Sequence, residues 1–225
     1  SKISHELRTP LTSILMFAEM VSDGHSDPSE QELCIEGIQR EAYRLQVQIE
    51  RLLEWGRMEA GQRRYERTRL DPGDIVEEAV EVFHGTAPGR DLPIAVELSH
   101  PLPAIEGDRD ALEDALLNLL GNAFKYTGEE KRIAVGAAAE GDVVRLYVRD
   151  NGPGIPRREQ RRIFQKFYRV DDRLSRAVEG AGLGLAIVHH VATGHGGRVE
   201  VDSEPGRGAT FSILLPAAGE GEDTP

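Results

Sequence analysis

Four stretches carry residue types whose spacing suits chemistry. In "SHELRTPLTSI", His5 stands beside Glu6, and Thr9 and Thr12 return to its side of a helix. At ~100° per residue these fall opposite Leu7, Leu11 and Ile14, which turns His5 toward solvent. A lone surface histidine would call for no explanation. Glu6, however, can hold one imidazole nitrogen protonated or take its proton, leaving the other nitrogen nucleophilic near neutral pH. Pro10 offers no N–H to the carbonyl of Glu6, so it either loosens the helix beyond His5 or opens a shorter helix. In "DALLNLLGNAFKYT", Asn118, Asn122 and Lys125 share one helix face. Two amide oxygens and an ammonium there could hold a divalent cation and the phosphates it bridges, since hard cations take oxygen ligands; a helix with a plain polar edge would look the same. Gly121 and Asn122 are poor helix formers near its middle, a local cost that points to function. In "DNGPGIP", Asp150 at a strand end can accept from an amine, while Gly152 and Gly154 let the backbone approach a flat ligand; the same residues also suit an ordinary turn. In "EGAGLGLAIVHH", Gly180, Gly182 and Gly184 lead into a helix whose exposed amides and dipole favour phosphate.

The elements that must position these residues fall into two regions. From Ser1 to about Gly61 the pattern is helical, broken once by "SDGHSDPSE". Leu7, Leu11, Ile14, Ala18 and Val21 line one arm, and Ile35, Ile38, Ala42, Leu45, Ile49 and Leu52 the other. Two helices bury little alone, so this hairpin is expected to pair with a second into a dimeric four-helix bundle. Beyond "GQRRYERTRLDPGD" the pattern is mixed. Asp74 to about Phe83 is helical, "PIAVELS" is strand-like, and Asp108 to Tyr126 is a helix entered through an Asp-rich cap. "RIAVGAAAEGDVVRLYVRD" reads as two strands about a Gly-Asp turn. A helix from Leu183 to about Thr193 precedes the strands "GRVEVDS" and "ATFSILLP", with Gly206 and Gly208 in their turn. Three helices and about five strands imply an α/β sandwich with helices on one face of a mixed sheet. The acidic tail at 217–225 reads as disordered.

Composition narrows the partners. With a net charge of -12 over 225 residues, nucleic acid and anionic membrane surfaces are excluded as general partners, and any anion must be gripped locally. The single cysteine, Cys34, cannot form an internal disulfide and reads as a small buried apolar residue in a reducing compartment. No apolar run approaches the ~20 residues that span a bilayer. The chain begins without Met inside a patterned segment, and the expectation is the C-terminal, cytoplasmic part of a longer protein, with any membrane spans in its front end. His25, His84, His100, His189, His190 and His195 receive no chemistry; adjacent His189 and His190 cannot share a helix face as a metal pair.

In this order, "SHELRTPLTSI", "NLLGNAFKYT", "DNGPGIP", "IFQKFYR" and "GAGLGLAIV" resemble, box by box, the signature set of bacterial two-component sensor histidine kinases. The resemblance implies a dimerisation and phosphotransfer domain at 1–61, a linker at 62–69, and at 70–216 a catalytic ATP-binding domain of the gyrase and heat-shock ATPase type. It implies ATP and Mg²⁺ as cofactors, with a homodimer and a response-regulator receiver domain as partners. His5 resembles the phosphorylated histidine, Glu6 its acid/base partner, and Thr9 the residue that orients water for dephosphorylating the regulator. Asn122 resembles the magnesium ligand with Asn118 supporting it, and Lys125 and Tyr126 would lie near phosphates and base. Asp150 resembles the acceptor for the adenine amine, backed by Gly152, Gly154, Ile155 and Thr210. Phe164 and Phe167 would anchor a lid from Arg169 to Glu179, and Gly182, Leu183, Gly184 and Leu185 would meet the phosphates. Thr193 stands where the family commonly has an acidic residue. Two rivals stay open: a docking module of the same architecture acting chiefly as a phosphatase, and an ATPase that uses nucleotide to clamp.

Overall fold

The computed structural model describes residues 2–22, 27–86, 92–170 and 182–219; part of the expected lid, 171–179, lies outside them. The chain divides into two compact units; one boundary falls between Arg63 and Arg64 and another between Leu183 and Gly184, with Leu183 on the side of the first unit.

The first unit is a helical hairpin, α1 (Lys2–Ser22) and α2 (Pro28–Glu59). Helix α2 starts where Asp27 accepts from the amides of Ser29 and Glu30 at 2.8 and 2.9 Å while Glu30 reaches back to the Asp27 amide. Pro28 fits the first turn, where its missing N–H costs nothing. Pro10 lies inside α1 and is buried, so the helix runs through it and the shorter-helix alternative does not hold. The two arms meet tightly where the Phe17 ring packs over Gly37; a Cβ there would stand 2.8 Å from the ring.

The second unit holds β1 (Thr68–Leu70), α3 (Pro72–Thr86), β2 (Ile94–Leu98), β3 (Ile105–Gly107), α4 (Arg109–Tyr126), β4 (Ile133–Glu140), β5 (Val143–Asp150), α5 (Gly184–Gly194), β6 (Arg198–Ser203) and β7 (Ala209–Pro216). Five strands form one mixed sheet in the order β2-β4-β5-β7-β6, with β2 parallel to β4 and the other pairs antiparallel. The face carrying Val135, Ala137, Val144, Leu146, Val148, Phe211, Ile213 and Leu215 is buried, and α3, α4 and α5 pack on the sheet. The opposite face presents Glu97, Arg145, Tyr147, Arg149 and Asp202, as the two-residue side-chain period requires. There Glu97 accepts from Tyr147 at 2.8 Å and from Arg149 at 2.6 Å, and burial together with that carboxylate pushes the Tyr147 phenol up to about 12.

Three features differ from the sequence expectations. Residues 64–69, expected as linker, belong to the second unit, where β1 pairs with β3 in a small separate sheet. Both strands are three residues long, too short for a visible alternation. The tail is held at its start: the Ala217 amide donates to Asp142 O at 2.9 Å, Ala218 to Ala104 O at 2.7 Å, and Arg69 reaches Gly219 O at 3.2 Å. Helix α3 begins before Asp74, because Asp71 accepts from the Gly73 amide at 2.7 Å and Pro72 occupies the first turn.

Candidate functional site

Helix α4 is the spine of the site. Asp108 caps it by accepting from Ala111 N–H at 3.0 Å, and Leu112, Leu116, Leu119, Leu120 and Ala123 are buried on its inner side. That registration leaves Asn118, Asn122 and Lys125 along one edge, the first two half-buried and Lys125 exposed. Asn118 donates through Nδ2 to Asp114 O at 2.9 Å, which turns Oδ1 to the start of α5: a Cβ on Gly184 would lie 3.1 Å from it. The amide edge of α4 and the N-terminus of α5, two features far apart in sequence, thus adjoin. Leu183 and Leu185 flank Gly184; Leu183 is buried and Leu185 half-buried, and Gly182 has φ +64°. Gly180 lies outside the described residues.

At the other end of α4, Asp150 closes β5. It is half-buried, and its carboxyl accepts from Gly152 N–H at 2.7 Å and from the Ala209 amide. Burial pushes its pKa up from the ordinary carboxylate value, and the two amides offset part of that rise. A Cβ on Gly152 would meet Asp150 Oδ1 at 2.8 Å and Tyr126 O at 3.3 Å, so the end of α4 lies directly beside this carboxylate. From Asn118 to Tyr126 the helix rises ~12 Å. That edge of α4 therefore runs from the Asp150 carboxylate beside Tyr126 to the N-terminus of α5 beside Asn118.

The β6–β7 turn braces the acceptor. Gly154 (φ +70°) and Gly208 (φ +78°) take backbone conformations that favour glycine, and a Cβ on either would fall 2.0 Å from a backbone oxygen, of Glu204 and Asp150 respectively. Ser203 Oγ accepts from Ile155 N–H and donates to Gly208 O, at 2.8 and 2.7 Å. Gln160 adds bonds to the carbonyls of Ile155 and Ser203. Asn151 ties down the loop after α4, accepting from Arg132 N–H at 2.7 Å and donating to Glu130 O at 2.8 Å. Sequence reasoning passed over Ala209, Ser203 and Asn151; only the "GRGA" run, with Gly208 immediately before Ala209, the strand partner of Asp150, offered a signal.

Thr210 does not back Asp150. In the β5–β7 register Ala209 stands opposite Asp150, while Thr210 stands opposite Arg149 and beside Asp202 on the other face of the sheet. One residue of register moves a side chain to the other face. Phe164 packs against Phe211 and His189 with ring centroids 6.4 and 6.2 Å apart. Phe167 has φ +61°, and half-buried Arg169 comes just before the residues outside the description.

In the first unit His5 and Glu6 lie within α1, and their side chains are outside the described set. Thr9 is exposed one turn further on, its carbonyl accepting from Ser13 Oγ at 3.3 Å. Arg8, Thr9, Thr12, Ser13 and Met16 line a shallow depression there.

Residues 1–61 match the His Kinase A (phospho-acceptor) domain, and residues 107–219 the histidine kinase-, DNA gyrase B- and HSP90-like ATPase. The sensor-like histidine kinase SenX3 of Mycobacterium tuberculosis is 35% identical over 217 residues, which cover 96% of this chain and 53% of SenX3. The chain therefore spans about half the length of that relative. Among solved structures, full-length ShkA in complex with AMPPNP is 31% identical with a TM-score of 0.73, covering 96% of this chain and 44% of ShkA. The histidine kinase ThkA in complex with the response regulator TrrA has a TM-score of 0.76 at 24% identity, over 96% of this chain and 60% of ThkA, a likeness of fold.

Proposed function

This chain belongs to the two-component sensor histidine kinases, and from that premise we propose that it phosphorylates His5 from ATP and passes the phosphoryl group to an aspartate of a response regulator. The observation that carries the reading is what adjoins the two ends of the polar edge of α4. Asn118 Oδ1 faces the N-terminus of α5, and Asp150, held by two backbone amides, waits beside Tyr126. Asp150 accepts from the exocyclic amine of adenine, with Gly152 and Gly154 giving the flat base room. Lys125 and the amides that open α5 stabilise the negative charge of the phosphates. Two neutral amide oxygens, on Asn122 and Asn118, suit a hard cation that arrives with its nucleotide; magnesium held there supplies charge neutralisation and alignment of the phosphates.

The nucleophile is His5. Its nitrogen forms a bond to the γ-phosphorus as the bond to the bridging oxygen of ADP breaks, and Glu6 takes the imidazole proton. The hairpin acts as a homodimer, and the receiver domain docks beside His5, a partnership of the kind in the ThkA–TrrA complex. Its ATP supply places the activity in the cytoplasm; among the described residues no helix is long and apolar enough to cross a membrane.

The test is labelling from γ-radiolabelled ATP. The unaltered chain should acquire an acid-labile label, and His5→Gln should lose it while keeping its affinity for ATP. Steady phosphate release without labelled protein would instead favour the clamp ATPase, and regulator dephosphorylation without labelling the phosphatase.

A further inference from the structure

We infer that residues 64–70 form a strap that holds the two helices of the nucleotide groove together at the ends remote from it, and that Tyr65, acting through His195, is a positioning residue for nucleotide binding. The inference rests on the nucleotide reading proposed above. Helices α4 and α5 run antiparallel and are pinned at two places. At one end Asn118 adjoins Gly184, at the groove. At the other, His195, immediately after α5, meets Asp108, the cap of α4: the Asp108 amide donates to Nε2 at 2.9 Å. A backbone N–H can only donate, so Nε2 accepts and Nδ1 carries the proton that goes to Val191 O at 2.7 Å. The two pins are ~15 Å apart along either helix.

The strap is laid across the second pin. The Tyr65 ring lies 4.5 Å from the buried His195 ring at 50°. It fits only because residue 194 is glycine: a Cβ there would come within 2.3 Å of the Tyr65 ring. The Glu66 amide donates to Asp108 Oδ2 at 3.0 Å, the other oxygen of the same carboxylate capping Ala111, and Arg67 donates to the Gly194 carbonyl. Beyond it β1 pairs with β3, which runs straight into the cap of α4. The backbone, the cap carboxylate and an aromatic ring thus all fasten one segment to one spot.

Residues 60–63 separate that segment from the end of α2, and a boundary between the units falls just before it. A displacement of the chain at Arg64 therefore acts on Tyr65 first. Lifting Tyr65 uncovers His195, loosens its bond to the α4 cap and lets the remote ends of α4 and α5 part. Each helix is a stiff rod, so the angle between them, and with it the approach of Asn118 to Gly184, changes at the groove. By linkage, nucleotide bound in the groove must tighten the strap to the same degree that the strap tightens nucleotide.

The experiment is calorimetric ATP binding on the whole chain, with steady-state kinetics and amide hydrogen exchange alongside. Tyr65→Ala should weaken ATP by about fivefold or more, the lower end of ordinary coupling between sites. It should raise KM with kcat at saturation kept, and speed exchange at Ala111 and in the last turn of α5. Tyr65→Phe, which keeps the ring over the imidazole, should restore both. Gly194→Ala should reproduce the loss by displacing the ring, whereas adding Gly194→Ala to Tyr65→Ala should cost nothing more, because the clash has gone. ATP should in turn slow exchange across 65–70. Equal ATP affinity in the unaltered chain and in Tyr65→Ala, or additive losses in the double variant, would overturn the strap alone. An unaltered chain that does not bind ATP at all would overturn the nucleotide reading, and the strap's role with it.

Discussion

Replacing Asp150 by Asn separates binding from stability, because the two should move in opposite directions. The substitution keeps one carbonyl oxygen for the Gly152 amide, which donates at 2.7 Å, but replaces a charged acceptor with a donor where the adenine amine is proposed to lie. A hydrogen bond to a charged group contributes about 1.5–3 kcal/mol. At ~1.4 kcal/mol per factor of ten, Asp150→Asn should weaken ATP about 10- to 150-fold by calorimetry. Stability behaves otherwise. Burial raises the Asp150 pKa above its ordinary 3.8, so folding disfavours the ionised carboxyl relative to the unfolded chain. The ionised group then subtracts stability: nothing below 3.8, more as the pH rises from there through the raised value, and a constant amount above it. The Asn variant carries no such penalty. Its melting temperature should equal or exceed that of the unaltered chain at pH 7, with the gap closing as the pH falls toward 3.8. A variant that melts lower at pH 7, or that binds ATP as tightly as before, would refute the account of Asp150 as a ligand acceptor held at a cost.

Two further outcomes concern the hairpin. Thr9 is exposed and lies one turn from His5, so Thr9→Ala should slow dephosphorylation of the cognate regulator more than it slows labelling of His5; equal losses in the paired assays would remove Thr9 from that role. Ile49 is 42% exposed on the face assigned to a second hairpin, so Ile49→Asp should lower the sedimentation coefficient from that of a dimer to that of a monomer while helix content persists, and an unchanged coefficient would sink that assignment.

Much of the fold was legible because its signals are periodic. The α4 pattern placed Asn118, Asn122 and Lys125 on one edge from spacing alone, and the β4–β5 hairpin announced itself by "EGDV", where Gly141 takes φ +59°. What escaped depends on register or on contacts across long separations. Thr210 is adjacent to the right position, yet the β5–β7 pairing, which no local pattern encodes, gives Asp150 the Ala209 amide instead. The strands β1 and β3 pair across more than thirty residues and are too short to alternate. His195 looked inert because its partners, Asp108 and Tyr65, sit 87 and 130 positions earlier in the chain. A histidine after a helix carries no sequence mark that its ring accepts from another helix's cap.

The hairpin's seam shows both what a pattern can settle and what a single chain leaves over. Ile35, Ala42 and Ile49 recur every seven residues, with Ile38, Leu45 and Leu52 offset by three, the spacing of a and d positions in a coiled coil. In the structure these two sets fare differently: Ile38, Leu45 and Leu52 are half-buried, whereas Ile35, Ala42 and Ile49 are exposed. On the facing arm Leu11, Leu15, Met16 and Met20 are also exposed, at 45–56%. The hairpin's own interior is built from residues that the seven-residue pattern does not contain, with Pro10, Cys34 and Gly37 buried and the Phe17 ring seated over Gly37. A side chain of this kind gains about 1.5–3 kcal/mol from full burial, so a half-covered a/d seam forgoes several times that in each copy. An a/d repeat marks one narrow seam that a helix turns to a partner, and in this hairpin the a half of that seam stays uncovered. The exposed a positions are the surface that the homodimer proposed above would cover, in the four-helix arrangement expected from the sequence.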